Sequence, residues 1–303
     1  MNPNCMAPIF ELSHLKAGEG AERLVVLFET VFQHAVSPQD WAWKYAHAAS
    51  FHTIACAPDG SLLGHAGVQF AGHLPNGRKA GQVCDVMVHP AHRGQLQGGV
   101  FARMLGELAA EAGRQGYGLC YGFPGDRPAK LGVRLGVYDE VARPREAVFM
   151  PQTVTLWQHV WLGVRELDAT TFAPRLATTA AQRGVVHRTP EQMLWRYVQA
   201  PRTYRFFVAG PRWRPATLVA KDCGDGTLLV VDGLGAARCP SVCLQALANA
   251  SRKTVRAWAH RVSGEGGEVW PTPLVTIELA QLPGRSRPDN WFDDCRPGDV
   301  DIY

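Results

Sequence analysis

The stretch VHPAHRGQLQGGVFARML (88–105) decides how the region around it folds. It opens on a strand end, turns at His89-Pro90, and passes an Arg93-Gly94 step and a glycine-containing loop. It then enters a helix whose apolar residues recur at helical spacing. A strand, a loop and a helix start form an anion site, because the first helical N–H groups have no intrahelical acceptor and the dipole there is positive. Glycine lets the main chain come close to phosphate oxygens. An ordinary strand-to-helix connector has a similar composition, so the loop alone leaves both readings open. No G-K-[ST] follows, which excludes a Walker loop. The spacing and the late position of the loop do not fit a dinucleotide fingerprint.

The chain alternates in period on either side of this stretch. PIFELSHL (8–15) is strand-like, and GEGAERLVVLFETVFQ (18–33) has the 3.6 period of a helix. Ser37-Pro38 opens a second helix through SPQDWAWKYAH. FHTIACA, SLLGHAGVQFAG and RKAGQVCDVMV are strand-like and are separated by Pro58-Asp59-Gly60 and Pro75-Asn76-Gly77. The loop helix ends at Gly116. Beyond it lie the strand YGLCYGF, a short helix near PAKLGVRLG and another extended run. The order β-α-α-β-β-β-α-β-α-β predicts a mixed α/β (α+β) unit with a twisted central sheet flanked by helices.

This pattern has an internal echo. WKYAHAASFHTIACA begins at Trp43, and WRYVQAPRTYRFFVA begins at Trp195, roughly half the chain later. Each copy is followed by a Gly-containing turn, two strand-like runs and an Ala/Leu-rich helix. The expectation is two tandem modules, residues 1–150 and 151–303, joined near ARPREAVFMPQTV (142–154).

Composition narrows the function classes. The 303 residues are 46% apolar and 19% charged, enough for a sizeable core. The net charge of +4, from 31 basic and 27 acidic residues without a basic run, does not mark a nucleic-acid groove. It suits an anionic small molecule. The eight cysteines form no C-x-x-C pair, and those within apolar runs read as reduced, buried thiols, with no metal site expected. Neither a signal-peptide pattern nor a membrane-length apolar run is present, so the expected location is the cytoplasm, with no membrane partner.

VCDVMVHPAHRGQLQGGVFARML (83–105) resembles the acyl-CoA loop of the GNAT acyltransferase superfamily, where V-x-P-x-x-R-G leads into a glycine-rich helix start. WAWKY (41–45), GHAGVQF (64–70), LCYGFP (119–124) and LGV (135–137) resemble a bacterial subgroup with two tandem GNAT modules, some associated with polysaccharide or amino-sugar pathways. VHRTPEQMLWRY (186–197) and WFDDCRPGDVDIY (291–303) extend the likeness into the second half. The subgroup's shorter R-G-x-G-[IV]-F aligns here with three extra residues, which makes the loop longer and keeps Gly99, Val100 and Phe101 in register.

The resemblance implies acyl transfer, acetyl in the simplest case, from acyl-CoA to a small amine such as an amino-sugar nucleotide. Main-chain N–H groups of Arg93, Gly94, Gln95, Leu96, Gln97, Gly98 and Gly99 would hold the pyrophosphate. Those at Met87 and Val88 would hold the acyl carbonyl. The other half of the chemistry is deprotonation of the amine. Asp85 is the candidate base, because a charge inside VCDVMV is costly unless paired or at work, and strand alternation puts it on the Met87 face. The residues equally allow Asp85 to be only a hydrogen-bond acceptor. His65 and His89 are the alternative bases, with satisfied structural histidines as the plainer reading.

Many family members protonate the leaving thiolate with a tyrosine whose place is taken here by Gly132. Tyr121 and Tyr138 are the possible substitutes. Trp43, Lys44 and Tyr45 read as packing, or as walls of an acceptor pocket. Asp293, Asp294, Asp299 and Asp301 read as a solvated acidic tail, or as a lure for an ammonium group. The second module has Gly233 and Gly235 but no R-G-x-x-x-G. It is expected to bind no CoA and to wall off the acceptor site, in a monomer with an internal pseudo-dimer or in a homodimer. The rival to an enzyme is a degenerate module that binds acyl-CoA as a sensor or scaffold.

Overall fold

The computed structural model describes residues 10–94, 98–143, 146–153, 161–179, 186–234, 241–258 and 274–277. In the first half, the element order is the one that the periodicity predicts. Strand β1 (Glu11–Lys16) is followed by helices α1 (Ala21–Phe32) and α2 (Pro38–Lys44). Strands β2 (Phe51–Cys56), β3 (Leu62–His73) and β4 (Lys79–Val88) form an antiparallel meander. Helix α3 (Val100–Arg114) crosses to β5 (Tyr117–Gly122), which runs parallel to β4, and α4 (Asp126–Arg134) leads to β6 (Tyr138–Ala142).

Local chemistry sets the helix ends. The Ser37 hydroxyl accepts the Asp40 N–H at 3.0 Å and Pro38 occupies the first turn of α2, where no N–H is needed. Gly116 ends α3 at φ +82°, a conformation open to glycine without a Cβ penalty. Met104, Leu105 and Leu108 of α3 are fully buried against Val68, Val83 and Cys120 of the sheet. Each such side chain contributes roughly 1.5–3 kcal/mol by burial, and truncating Leu108 to alanine costs about 2–5 kcal/mol. The opposite face of this sheet receives α1 and α2, whose Leu24, Leu27, Phe28 and Trp41 are buried.

The second half repeats the plan. Strands β8 (Leu162–Leu167), β9 (Arg205–Pro211), β10 (Ala216–Asp222) and β11 (Thr227–Leu234) are antiparallel neighbours. Helix α7 (Ser241–Ser251) crosses to β12 (Thr254–Trp258), parallel to β11. Between β8 and β9 lie α5 (Ala169–Thr179) and the short α6 (Pro190–Met193), which runs on into a wider turn at Leu194–Val198. Thr189 and Gln192 cap α6 reciprocally.

Each sheet recruits one strand that the linear order does not predict. The first has the order β1-β2-β3-β4-β5-β13-β6, with β13 (Leu274–Ile277) coming from near the C-terminus. The second has the order β7-β12-β11-β10-β9-β8, with β7 (Glu146–Phe149) following directly on the first unit. β7 pairs with β12 through Ala147–Ala257 and Val148–Arg256, and β13 pairs with β5 through Thr276–Tyr121. A single cut in the chain therefore does not separate the two sheets.

Candidate functional site

The site is built where β4 leaves β5. Their pairing runs from Lys79–Tyr117 to Gln82–Tyr121, whereas β4 continues to Val88. Among the described residues no strand pairs with the β5-facing side of Val83–Val88. On the other side, the pairing with β3 shifts register between Cys84–Gly67 and Met87–His65. Asp85 and Val86 thus oppose the single residue Ala66, which is a β-bulge. Asp85 has φ +52°, a left-handed conformation that costs a non-glycine residue on the order of 1–3 kcal/mol.

Three side chains hold this bulge. The buried Lys44 ammonium lies 2.8 Å from both Asp85 carboxylate oxygens, and Tyr45 Oη donates to Oδ2 at 2.6 Å. The Asp85 side chain is 3% exposed and that of Lys44 1%. Tyr45 reaches the aspartate because residue 67 is glycine: a Cβ there would lie 2.2 Å from the tyrosine hydroxyl. His65 Nδ1 donates to the Asp85 carbonyl at 2.8 Å, and His52 Nδ1 lies 2.9 Å from His65 Nε2. Both imidazoles are fully buried beside Trp41 and Tyr45. Burial pushes His52 down to about 3, helped by His65, and pushes His65 down to about 4 against the pull of the Asp85 carboxylate. Both are neutral at physiological pH.

The ladder fixes which main-chain donors face outward. His89 N–H donates to the Leu63 carbonyl at 2.8 Å, which makes Leu63–His89 a bonded pair. Bonded and non-bonded pairs alternate, so His65–Met87 is bonded and Gly64–Val88 is not. The N–H of Val88 therefore turns away from β3, whereas that of Met87 turns toward it. Met87 shares the His65 face of the sheet with the Asp85 side chain.

Arg93 folds back, its Nε donating to the Val88 carbonyl at 2.9 Å, and ties the loop to the strand end. Gly94 and Gly98 have φ +99° and +73°, conformations that favour glycine. Gly99 precedes α3 with no side-chain cap, so the first N–H groups of the helix receive no acceptor from the capping residue. Gln95, Leu96 and Gln97 lie outside the described residues, as do Asp293, Asp294, Asp299 and Asp301.

The alternative candidates are also placed. His65 has both ring nitrogens engaged, and His89 Nδ1 accepts the Ala91 N–H at 3.3 Å. Tyr121 and Tyr138 are buried, and burial raises the Tyr138 phenol. The Tyr138 ring fills the space beside Gly132, where a Cβ would lie 2.0 Å from it. Lys44 and Tyr45 are the partners of Asp85 that sequence reasoning did not pair with it. The signal was a lysine on the buried face of WAWKY, a position that demands a counter-charge. Among the described residues no His, Cys, Asp or Glu group could hold a metal ion, and no helix is long and apolar enough to cross a membrane.

The second unit repeats the bulge and its anchor. β11 pairs with β12 only over Thr227–Leu229, and its register with β10 shifts between Val230–Ala220 and Asp232–Val219. Asp232 is buried, accepts Tyr197 Oη at 2.8 Å and the Gly233 N–H at 2.8 Å, and has Arg188 at 3.7 Å.

Residues 15–132 match the family model described as an acetyltransferase (GNAT) domain. A search of curated proteins returns no match. Among solved structures, a protein from Enterococcus faecalis described as a probable N-acyltransferase superposes with a TM-score of 0.65. It is 12% identical, over 89% of this chain and 73% of that one. A GCN5-related N-acetyltransferase from Kribbella flavida gives 0.60 at 13% identity, over 91% and 73%. A tandem GNAT protein from the clavulanic acid pathway gives 0.57 at 12% identity, over 90% and 100%. The chain thus folds as two tandem GNAT-like modules, and its residues 15–132 match a GNAT acetyltransferase domain.

Proposed function

We propose that the first unit transfers an acyl group, acetyl in the simplest case, from acyl-CoA to a small amine. The observation that carries this reading is the parting of β4 from β5 directly before a glycine loop and a helix start without a side-chain cap. An extended pantetheine arm fits the unpaired side of β4 as an added strand would, with main-chain N–H groups at the strand end on the acyl oxygen. The described loop donors Gly94, Gly98 and Gly99, together with Gln95, Leu96 and Gln97, are proposed to hold the pyrophosphate, whereas the Arg93 N–H, which the sequence reading included, is engaged by the Pro90 carbonyl at 3.4 Å. The amine nitrogen attacks the thioester carbon, the C–N bond forms and the C–S bond breaks. The thiolate leaves to be protonated by solvent, and the nitrogen loses its proton to solvent.

The sequence leaves Asp85 two roles, and they make opposite demands. A base needs a free lone pair, whereas an anchor needs its oxygens engaged. Lys44 and Tyr45 engage both, so for Asp85 we propose the anchoring role, with the amine reacting as its free base. By family resemblance the acceptor proposed first is an amino-sugar nucleotide, and from the sequence pattern the proposed location is the cytoplasm.

A second reading, an acyl-CoA sensor without turnover, draws support from Gly132 and from the Tyr138 ring that fills its surroundings. Titration calorimetry with acetyl-CoA, followed by thiol release with a panel of amines that includes amino-sugar nucleotides, separates the two. Binding with thiol release supports the enzyme, binding without release for any amine supports the sensor, and no binding overturns both.

A further inference from the structure

We propose that His52 and His65 are positioning residues for acyl transfer: a tautomer-locked pair that holds the Asp85–Val86 peptide and so aims the Val86 N–H at the acyl carbonyl. The proposal rests on the acyl-transfer reading above. The Asp85 carbonyl oxygen only accepts, so the proton of His65 sits on Nδ1. Neutral His65 then offers a lone pair at Nε2, and His52 donates to it from Nδ1. That leaves His52 Nε2 as a lone pair, buried and without a partner among the described residues. Both rings are therefore fixed in one tautomer, and each step follows from the carbonyl at the end of the chain.

The lock acts on the peptide that matters. In a trans peptide the C=O and the following N–H point in opposite directions. With the Asp85 oxygen turned to His65, the Val86 N–H turns away from that ring. It thereby joins the Val88 N–H, which the ladder turns to the unpaired side of β4. A bulge disrupts the regular ladder at this peptide, and the His65 ring supplies a bond that orients it. The charged and titratable groups facing the pair are Lys44 at the end of α2, Tyr45 directly after it and Asp85 from β4. The second unit carries a register shift and a buried aspartate of its own, yet its one described histidine, His187, is exposed. Among the described residues, the imidazole lock is found at the bulge that stands before the glycine loop.

The test uses the full chain. His65→Leu removes the donor to the Asp85 carbonyl, and His65→Asn keeps an N–H near the Nδ1 position. The expected result for His65→Leu is a fall in kcat of about 100-fold, the scale of a misaimed oxyanion donor, with KM for acetyl-CoA within about 3-fold. His65→Asn recovers most of the loss. Nitrogen-15 NMR of the wild-type rings should show both histidines protonated at Nδ1 and bare at Nε2 across pH 5.5–8. The Val86 amide should shift in His65→Leu and stay in His65→Asn. A folded His65→Leu with unchanged kcat overturns the proposal, as does a His65 proton on Nε2 or a ring titrating near 6.5. If His65→Leu does not fold, the wild-type ring spectra decide. If wild-type protein releases no thiol with any amine, the acyl-transfer reading fails on its own, and the Val86 amide still reports whether the lock exists.

Discussion

Asp85 and Asp232 stand in similar places: each side chain is buried at a register shift of a strand that leaves its parallel neighbour, with a tyrosine hydroxyl on one oxygen. What surrounds them differs. Asp85 has a fully buried lysine at 2.8 Å and a left-handed backbone, and its carbonyl is capped by a histidine pair. Asp232 has an arginine at 3.7 Å and bonds the next main-chain N–H. The shared part, tyrosine to aspartate, is what a bulged strand needs in order to persist. The added part, the histidine pair, is described in the unit that carries the glycine loop. The difference separates what holds the module together from what specialises it.

The largest effect that breaks the comparison should come from neutralising the two aspartates. Asp85→Asn leaves the Lys44 ammonium buried without its counter-charge, and about 3–5 kcal/mol of stability is expected to go with it. Asp232→Asn removes a charge that faces Arg188 at 3.7 Å, and the difference between the two losses measures how far the two anchors differ. Chemical denaturation of both variants checks this. The double variant Asp85→Asn with Lys44→Met should regain most of the loss. If Asp85→Asn is as stable as wild type and only kcat falls, Asp85 is a base and not an anchor.

Acid should also distinguish the units. The folded-state pKa of His65 is lowered to about 4 and that of His52 to about 3, from an ordinary 6.5, chiefly by burial. As pH falls below 6.5 the unfolded chain takes up protons that the folded one refuses, so stability present above 6.5 is lost progressively down to about 4. His65 alone accounts for roughly 3 kcal/mol of that loss. Thermal melts between pH 7 and 4 should show the fall, and His65→Asn with His52→Asn should flatten it. An equally steep fall in that double variant would place the acid sensitivity elsewhere.

Much of this was legible in the sequence, and the reasons differ by element. The order of strands and helices in the first unit followed from period and turn residues. WAWKY read as packing or as a pocket wall, and the glycines around Arg93 marked a loop. Asp85 in VCDVMV announced a costly charge without naming its partners, because Lys44 meets it only through the packing of α2 on the sheet and the vacancy of a side chain at Gly67. The bulge was invisible, since a register shift leaves no mark on alternation when residues on both faces are apolar. The histidine pair was hidden for a similar reason: His52 and His65 lie on adjacent strands, and only the pairing brings their rings together. The exchange of β7 and β13 between sheets was illegible because it concerns which neighbour a strand chooses and not whether it forms.

The smallest effect sharpens the comparison by testing what the units share. Tyr45→Phe and Tyr197→Phe each remove one hydroxyl that donates to a buried aspartate, at 2.6 Å and 2.8 Å. A charge-assisted bond of this kind contributes about 1.5–3 kcal/mol, and the ring packing is kept. If the tyrosine–aspartate bond is the common structural anchor, the two variants should lose similar stability. Their effects on kcat should differ, because only Tyr45 holds the aspartate whose peptide faces the proposed acyl site. Urea denaturation gives the first comparison and thiol release gives the second. Equal losses of stability with a fall in kcat confined to Tyr45→Phe support one anchor used twice. A fall in kcat of equal size in Tyr197→Phe would mean that the second unit, too, takes part in the chemistry.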